Sequence, residues 1–202
     1  MSEHETDRVL VHVCCAICYV GVAQDLAARS IGFGGFFYNP NIQPLIEFRR
    51  RMKACQVLAH DTGLPLSVDE SCNPAEWLRQ VVGREEQRCD VCYRMRLEHS
   101  AQAARQGGYA SFTTTLLASP HQKHERLRQL GDEIAAESGL GFFYVDWRGT
   151  HESARSQARR RNLYRQQYCG CIYSEYERYR DTGEHLWRRP ELTHGTKPCD
   201  RG

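Results

Sequence analysis

Short apolar runs alternate with longer amphipathic segments along this chain, and the alternation predicts strands separated by helices. The predicted strands cover residues 8–13, 33–38, 64–69, 109–116 and 142–146. The predicted helices cover residues 18–29, 45–62, 74–82, 86–106 and 120–138, and the rest of the chain is expected to be helical or irregular. Strands that alternate with helices of this length are typical of right-handed βαβ units and a mainly parallel sheet.

We therefore expect one α/β domain over residues 1–202, with three layers in a Rossmann-like, nucleotide-hydrolase-like arrangement and a helical C-terminal extension. A chain of 202 residues is long enough to bury a core of this kind. Residues from about 188 to 202 are expected to form a poorly ordered tail. No run approaches the roughly 18 apolar residues of a membrane helix. A cytoplasmic protein is the resulting expectation.

The overall charge is nearly balanced, with 27 Lys and Arg against 25 Asp and Glu. Any contact with RNA must therefore come from local patches rather than from the whole surface. Arginines are concentrated in residues 148–165, where RNA contact is predicted, and in residues 49–53, where a solvated helix face is an equal alternative. The arginines singled out for RNA contact are Arg155, Arg159, Arg160 and Arg165.

Two residues that follow the second predicted strand are further candidates for binding a base. Tyr38 offers an aromatic ring for stacking, and Asn39 offers an amide for hydrogen bonds. An Asn-Pro-Asn sequence is equally ordinary turn chemistry, so both interpretations stay open.

The ten cysteines carry the sharpest chemical signal, because seven of them fall into three tight clusters. The clusters are Cys14, Cys15 and Cys18; Cys89 and Cys92; and Cys169 and Cys171. The first cluster lies where a strand stops and a helix begins, which is the edge of a parallel sheet where ligands gather. A helix N-terminus there favours thiolate over thiol.

These clustered thiols are predicted to be metal ligands or working thiols, since long-lived disulfides are rare in the cytosol. Four thiolates on two short motifs suit an iron–sulfur cluster, and three more nearby suit a second metal site or a redox pair. A structural zinc site is the alternative that the spacing leaves open. The Cys-Gly-Cys segment at residues 169–171 suits either a strained, reducible disulfide or a metal chelate.

Five sequence blocks carry a family resemblance. HVCCAIC, FYNPNIQP, CDVCYRMRL, FTTTLLASPHQ and YRQQYCGC resemble, in this order, the signature blocks of the epoxyqueuosine reductase QueH family. The resemblance extends over about residues 11–174. It implies an oxidoreductase that reduces epoxyqueuosine to queuosine at the wobble position of tRNA, the last step of queuosine biosynthesis, with an iron–sulfur cluster and without cobalamin.

The resemblance also implies a set of ligands and partners. Cys14, Cys15, Cys89 and Cys92 would hold a [4Fe–4S] cluster. Cys169 and Cys171 would form a redox-active pair or help to hold one additional iron, and Cys18 would be a ligand of that iron or a spectator. The implied partners are the anticodon loop of tRNA and an electron donor such as ferredoxin or flavodoxin. A non-catalytic, zinc-stabilised RNA-binding module is the alternative function.

Overall fold

A five-stranded parallel sheet forms the centre of the protein. The computed structural model describes residues 8–182, so the predicted tail at residues 188–202 lies outside the described part of the chain. The strands are β1 (Val9–Val13), β2 (Phe33–Phe37), β3 (Leu66–Val68), β4 (Ser111–Thr114) and β5 (Gly141–Phe142). They are ordered β3-β2-β1-β4-β5, and every neighbouring pair is parallel. The predicted α/β class is confirmed.

Helices cover the sheet as two outer layers, which gives the predicted three-layer arrangement. The helices are α1 (Ala16–Ala28), α2 (Leu45–Thr62), α3 (Pro74–Val81), α4 (Arg88–Gln106), α5 (His124–Ser138), α6 (His151–Arg160) and α7 (Ile172–Tyr179). Helix α1 packs against α2 and α6, whereas α4 packs against α3 and α5. Right-handed crossovers on either side of β1 place these two groups on opposite faces.

Chain order reverses between β1 and β4, and this position fixes the site. In an open parallel sheet the crevice at such a reversal, outside the carboxyl ends of the strands, is where ligands bind. His12 on β1 joins the neighbouring strands there, with Nδ1 at 2.8 Å from Thr114 Oγ1 and Nε2 at 2.9 Å from the Tyr38 carbonyl oxygen. His12 is thus a buried, hydrogen-bonded residue of the core.

Several predicted boundaries were wrong by two residues, and the largest differences, at the start of α5 and the end of β5, lie after residue 108. β4 ends at Thr114 because the Thr114 hydroxyl oxygen accepts a hydrogen bond from the Leu116 amide at 3.1 Å. This bond begins a 3₁₀ turn, Thr115–Ala118. Helix α5 begins at His124, four residues later than predicted, since Ser119 Oγ accepts from the His121 amide instead of capping the helix. β5 pairs with β4 at only two positions.

Candidate metal centre

The first cysteine cluster forms a compact turn between β1 and α1. Cys15 is the N-cap of α1, with extended backbone angles, and its Sγ accepts from the Cys18 amide at 3.5 Å. Sγ of Cys14 lies 3.8 Å from Sγ of Cys15, and the three sulfur atoms of Cys14, Cys15 and Cys18 all lie within 4.8 Å of one another. Within residues 8–182, no other group of three Cys, His or carboxylate side chains meets this condition.

Two other elements hold this turn in place. Thr115, in the turn after β4, accepts from the Cys14 amide at 2.9 Å and lies 3.1 Å from Cys14 Sγ through its hydroxyl. Gln166, after α6, donates from Nε2 to Cys15 Sγ at 2.9 Å. All three cysteines are buried. The turn after β4 and the segment after α6 therefore hold the sulfur atoms of Cys14 and Cys15 in position.

Hydrogen bonds among the three thiols of this turn shift their pKa values in opposite directions. Hydrogen bonds from the thiols of Cys14 and Cys18 lower the pKa of Cys15 well below its ordinary value. The bond to Cys15 raises the pKa of Cys14 to about 11, and the bonds to Cys14 and Cys15 raise the pKa of Cys18 strongly. A metal cation binding here would favour ionisation of the remaining thiols and release their protons.

The other two clusters line the same cleft, which has a volume of about 680 Å³. Its walls include Cys14, Cys18, Cys89, Cys92, Cys169 and Cys171. Cys89 and Cys92 lie in the first turn of α4, where burial raises the pKa of Cys92 to about 12 and also raises that of Cys89. Three segments far apart in sequence therefore place thiols around one opening at the sheet edge.

The Cys169–Cys171 turn is held by a buried arginine of α2. Arg51 donates from Nη1 to the Cys169 carbonyl oxygen at 2.7 Å and from Nη2 to the Tyr168 carbonyl oxygen at 2.9 Å. Its Nε pairs with Glu47 at 2.7 Å. Arg51 is thus not part of the exposed cationic cluster considered for residues 49–53 from the sequence.

Glycine is required in the middle of this turn. Gly170 has a φ of 145°, and a Cβ there would lie 3.0 Å from Ile42 Cγ1 and 3.3 Å from Arg51 Nη1. The turn exposes Cys169 and buries Cys171, and both are free thiols in this structure. Gln122 Nε2 donates to Cys169 Sγ at 3.3 Å.

A second buried arginine lies one helical turn beyond Cys92. Arg96 is 1% exposed and donates from Nε to Asn41 Oδ1 at 2.8 Å. No carboxylate forms an ion pair with it in the part of the chain described, 8–182. Burial raises the pKa of Cys92, and the positive charge of Arg96 offsets part of that rise. A buried cation without a carboxylate favours negative charge nearby, and the thiols of the cleft are the groups that can supply it.

The rim of the cleft is strongly cationic. Its charged residues are Arg88, Lys123, Arg155, Arg165, Arg178 and a single carboxylate, Glu177, and the buried, paired Arg51 lies behind them in the lining. Glu177 is paired with Arg88. Two of the four predicted arginines, Arg155 and Arg165, therefore lie at the cleft. Arg159 and Arg160 do not line it, and Arg159 pairs with Glu152 at 3.2 Å.

Tyr38 and Asn39 lie near the site without lining the cleft. The Tyr38 ring stacks on His99 with ring centroids 3.8 Å apart, and Asn39 donates to the Val13 carbonyl oxygen at 2.9 Å while fully buried. Asn41, two residues on, does line the cleft. The contacts of Tyr38 and Asn39 hold the strand ends, and a role for them in substrate binding stays a prediction.

Several cleft residues were not found from the sequence. Gln122 and Gln166 contact cysteine sulfur atoms. Both lie inside sequence blocks that carry the family resemblance, and this position could have marked them as candidate site residues. Trp77 also lines the cleft while fully buried, and its place in an amphipathic helix gave no such signal. None of the helices within residues 8–182 is long and apolar enough to cross a membrane.

Comparison with known proteins gives one consistent result. The family model described as "Epoxyqueuosine reductase QueH" matches residues 9–177. A protein of that name from Dehalococcoides mccartyi is 37% identical over 172 residues, which cover 85% of this chain and 94% of that protein. Its namesake from Thermotoga maritima is 36% identical over 84% of this chain and 91% of that protein. The Histophilus somni protein of the same name is 32% identical over 92% of this chain and 76% of its own length.

Proposed function

Because the chain belongs to the epoxyqueuosine reductase QueH family, we propose that it is a tRNA-modifying oxidoreductase of queuosine biosynthesis. Its substrate would be epoxyqueuosine at the wobble position of tRNA, and its product queuosine. The observation that carries this proposal is the convergence of six cysteines on one cleft with a cationic rim, at the reversal of strand order. Sulfur ligands suit redox chemistry, and a cationic rim suits a polyanionic substrate.

The proposed reaction removes the epoxide oxygen. Two C–O bonds break, a C=C bond forms between the same carbons, and two electrons and two protons convert the oxygen to water. The electrons would come from a reduced donor protein of the ferredoxin or flavodoxin type, without cobalamin. His121 and His151 line the cleft, and histidine is the side chain best suited to proton delivery near neutral pH. Their assignment as the source of the two protons is part of the proposal.

The residues of the cleft fit a bound iron–sulfur cluster. Cys14, Cys89 and Cys92, which line the cleft, and Cys15, whose Sγ lies 3.8 Å from that of Cys14, are the four thiols that would hold it. Cys18, in the same turn, would be a ligand of an additional iron or a spectator. When bound, such a cluster supplies one-electron transfer and an iron that polarises oxygen. Arg96 supports this assignment, since its unpaired buried charge would offset the negative charge of a thiolate set.

The chain's own residues would have three tasks around this centre. Thr115 and Gln166 orient the sulfur atoms of Cys14 and Cys15 through their hydrogen bonds. Arg155 and Arg165 would contact the RNA backbone beside the opening, with Arg159 and Arg160 extending that contact along α6. Cys169 and Cys171 would relay the electron pair or ligate the additional iron.

A single metal ion is the alternative that a specific observation favours. Tetrahedral thiolates about 2.3 Å from one zinc ion lie roughly 3.8 Å from each other. The Cys14 and Cys15 sulfur atoms have that separation, 3.8 Å. This alternative corresponds to a zinc-stabilised RNA-binding module without reductase activity.

Anaerobic purification followed by metal and turnover analysis distinguishes the two functions. The reductase is expected to be brown, to contain iron and acid-labile sulfide, and to convert epoxyqueuosine in tRNA to queuosine when given a chemical reductant. Nucleoside mass spectrometry after digestion measures this conversion. A colourless protein with stoichiometric zinc and no conversion would establish the alternative.

A further inference from the structure

A second groove opens beside the cysteine cleft, between α2, α7 and the segment that joins α6 to α7. We name it the tyrosine groove and define it by Ile46, Arg50, Tyr164, Tyr168, Ile172 and Tyr176. Its volume is about 710 Å³, within the range of sites that hold small organic groups. Gln167 and Tyr168 line both this groove and the cleft, so the two hollows adjoin each other at these residues.

The tyrosine groove exposes apolar surface on both of its sides. Tyr176 is 64% exposed, Ile46 is 56% exposed and Ile172 is 44% exposed. These are three of the five large hydrophobic side chains that are exposed in the part of the chain described, 8–182. Apolar side chains gathered on one surface, rather than scattered singly, are typical of a binding site.

Positive charge accompanies this apolar surface along α2. Beyond Arg50 and Tyr164 the groove continues into a hollow of about 470 Å³ that Arg49 and Lys53 also line. Arg49, Arg50 and Lys53 are exposed and form no ion pair within residues 8–182. Two carboxylates line the groove: Glu47 of α2, which is buried and paired with Arg51, and Glu175 of α7.

We propose that the tyrosine groove binds single-stranded RNA nucleotides next to the base that enters the cysteine cleft. In this arrangement Tyr176 stacks on a base while Arg50 and Lys53 contact phosphates. Aromatic rings beside unpaired cations are the combination that recognises single-stranded nucleic acid. Because the cleft and the groove adjoin at Gln167 and Tyr168, one RNA strand can have a nucleotide in each. This inference rests on the proposed function, because it takes tRNA as the substrate.

Binding of a fluorescently labelled anticodon stem–loop RNA to the metal-loaded enzyme tests the inference. Tyr176→Ala is expected to weaken binding by about 5- to 150-fold, the range for losing one base–aromatic stack. Tyr176→Phe keeps the ring and is expected to bind like the wild type. Arg50→Gln is expected to reduce the slope of log Kd against log salt by about 0.7, the value for one lost phosphate contact on a single strand.

Two matched controls isolate the groove. Arg105→Gln removes an exposed arginine at the C-terminal end of α4, at the sheet edge opposite the cleft, and is expected to leave Kd and salt slope unchanged. A hairpin with the same stem and a compact tetraloop offers no free strand. Its binding is expected to be equal for the wild type and Tyr176→Ala.

Unchanged RNA binding by both Tyr176→Ala and Arg50→Gln would overturn the inference. A second contradicting result would be that these variants keep the wild-type Kd for RNA but have a raised KM for the reduced donor protein. That result would assign the groove to the donor protein. The proposed function fails separately. A wild-type enzyme that binds the loop through the groove but never reduces epoxyqueuosine would contradict the reductase assignment alone.

Discussion

The two cysteine turns at the cleft are held in opposite ways. In the turn at residues 14–18, Cys15 caps its own helix and accepts from the Cys18 amide, so much of the geometry comes from neighbours in sequence. In the turn at residues 169–171, the backbone is fixed by Arg51 and by the Gln43 amide, which donates to the Gly170 carbonyl oxygen at 2.8 Å. The first turn takes part of its geometry from its own residues, with further contacts from Thr115 and Gln166, whereas the second turn depends on Arg51 of α2 and on Gln43 for its position.

Removing the central sulfur of the first turn is expected to have the largest effect. Cys15→Ser should abolish metal binding, because Cys15 is the thiol whose ionised form the turn stabilises and a serine hydroxyl does not ionise at neutral pH. Iron and sulfide analysis of the purified variant measures the loss. Cys72→Ser, which changes a partly exposed thiol outside the cleft, is the matched control and should retain full metal content. Equal metal content in both variants would show that Cys15 is not a ligand.

The second turn is expected to respond differently to the same change. Cys171→Ser should keep the metal and lower kcat by about 100-fold or more, equivalent to roughly 3 kcal/mol of barrier, if the pair relays electrons. Visible absorbance and iron content report on the metal, and single-turnover conversion of epoxyqueuosine reports on the chemistry. Normal turnover would remove Cys169 and Cys171 from the mechanism. Loss of iron in the variant would instead make Cys171 a ligand.

Substitution of Arg51 in α2 tests whether the second turn depends on this helix for its position. Arg51→Gln should lower the free energy of unfolding by about 3–5 kcal/mol, since it leaves the buried Glu47 carboxylate without its cation. Urea unfolding measures the change, and faster alkylation of Cys169 should report a loosened turn.

The double variant Glu47→Gln with Arg51→Met is the matched control for charge. It removes both members of the ion pair and should recover a substantial part of the stability while Cys169 stays reactive. If the double variant were no more stable than Arg51→Gln, the unpaired carboxylate would not be the cause of the loss.

The difference between the two turns also explains what the sequence could predict. The place of Cys14 and Cys15 follows from a strand end and a helix start, both readable from local periodicity. In the sequence Arg51 cannot be told from its exposed neighbours Arg49 and Arg50. Only the packing of α2 against the distant turn buries it and lets it donate to the Cys169 carbonyl oxygen. The late start of α5 escaped prediction for a related reason, because Ser119-Pro120 has the composition of a helix start but forms a turn.

His12 lies on β1, the strand that leads into the first turn, and its titration should lower the free energy of unfolding at acid pH. Burial lowers the pKa of His12 from 6.5 to about 4, with the charge of Arg96 adding to the effect. The unfolded chain therefore binds a proton before the folded protein does as the pH falls. The free energy of unfolding should decrease by about 3 kcal/mol between the two pKa values, with the full contribution present above pH 6.5.

His12→Gln isolates this contribution, because glutamine keeps polar contacts to Thr114 or the Tyr38 carbonyl and does not titrate. Urea unfolding of the wild type and the variant at matched pH values gives the difference between their pH slopes. The difference should appear between pH 6.5 and about 4 and vanish above that window. Parallel stability curves would mean that His12 has the same pKa in the folded and the unfolded protein, so that burial does not disfavour its charged form. The contrast between the two turns would in that case lie in their hydrogen bonds alone.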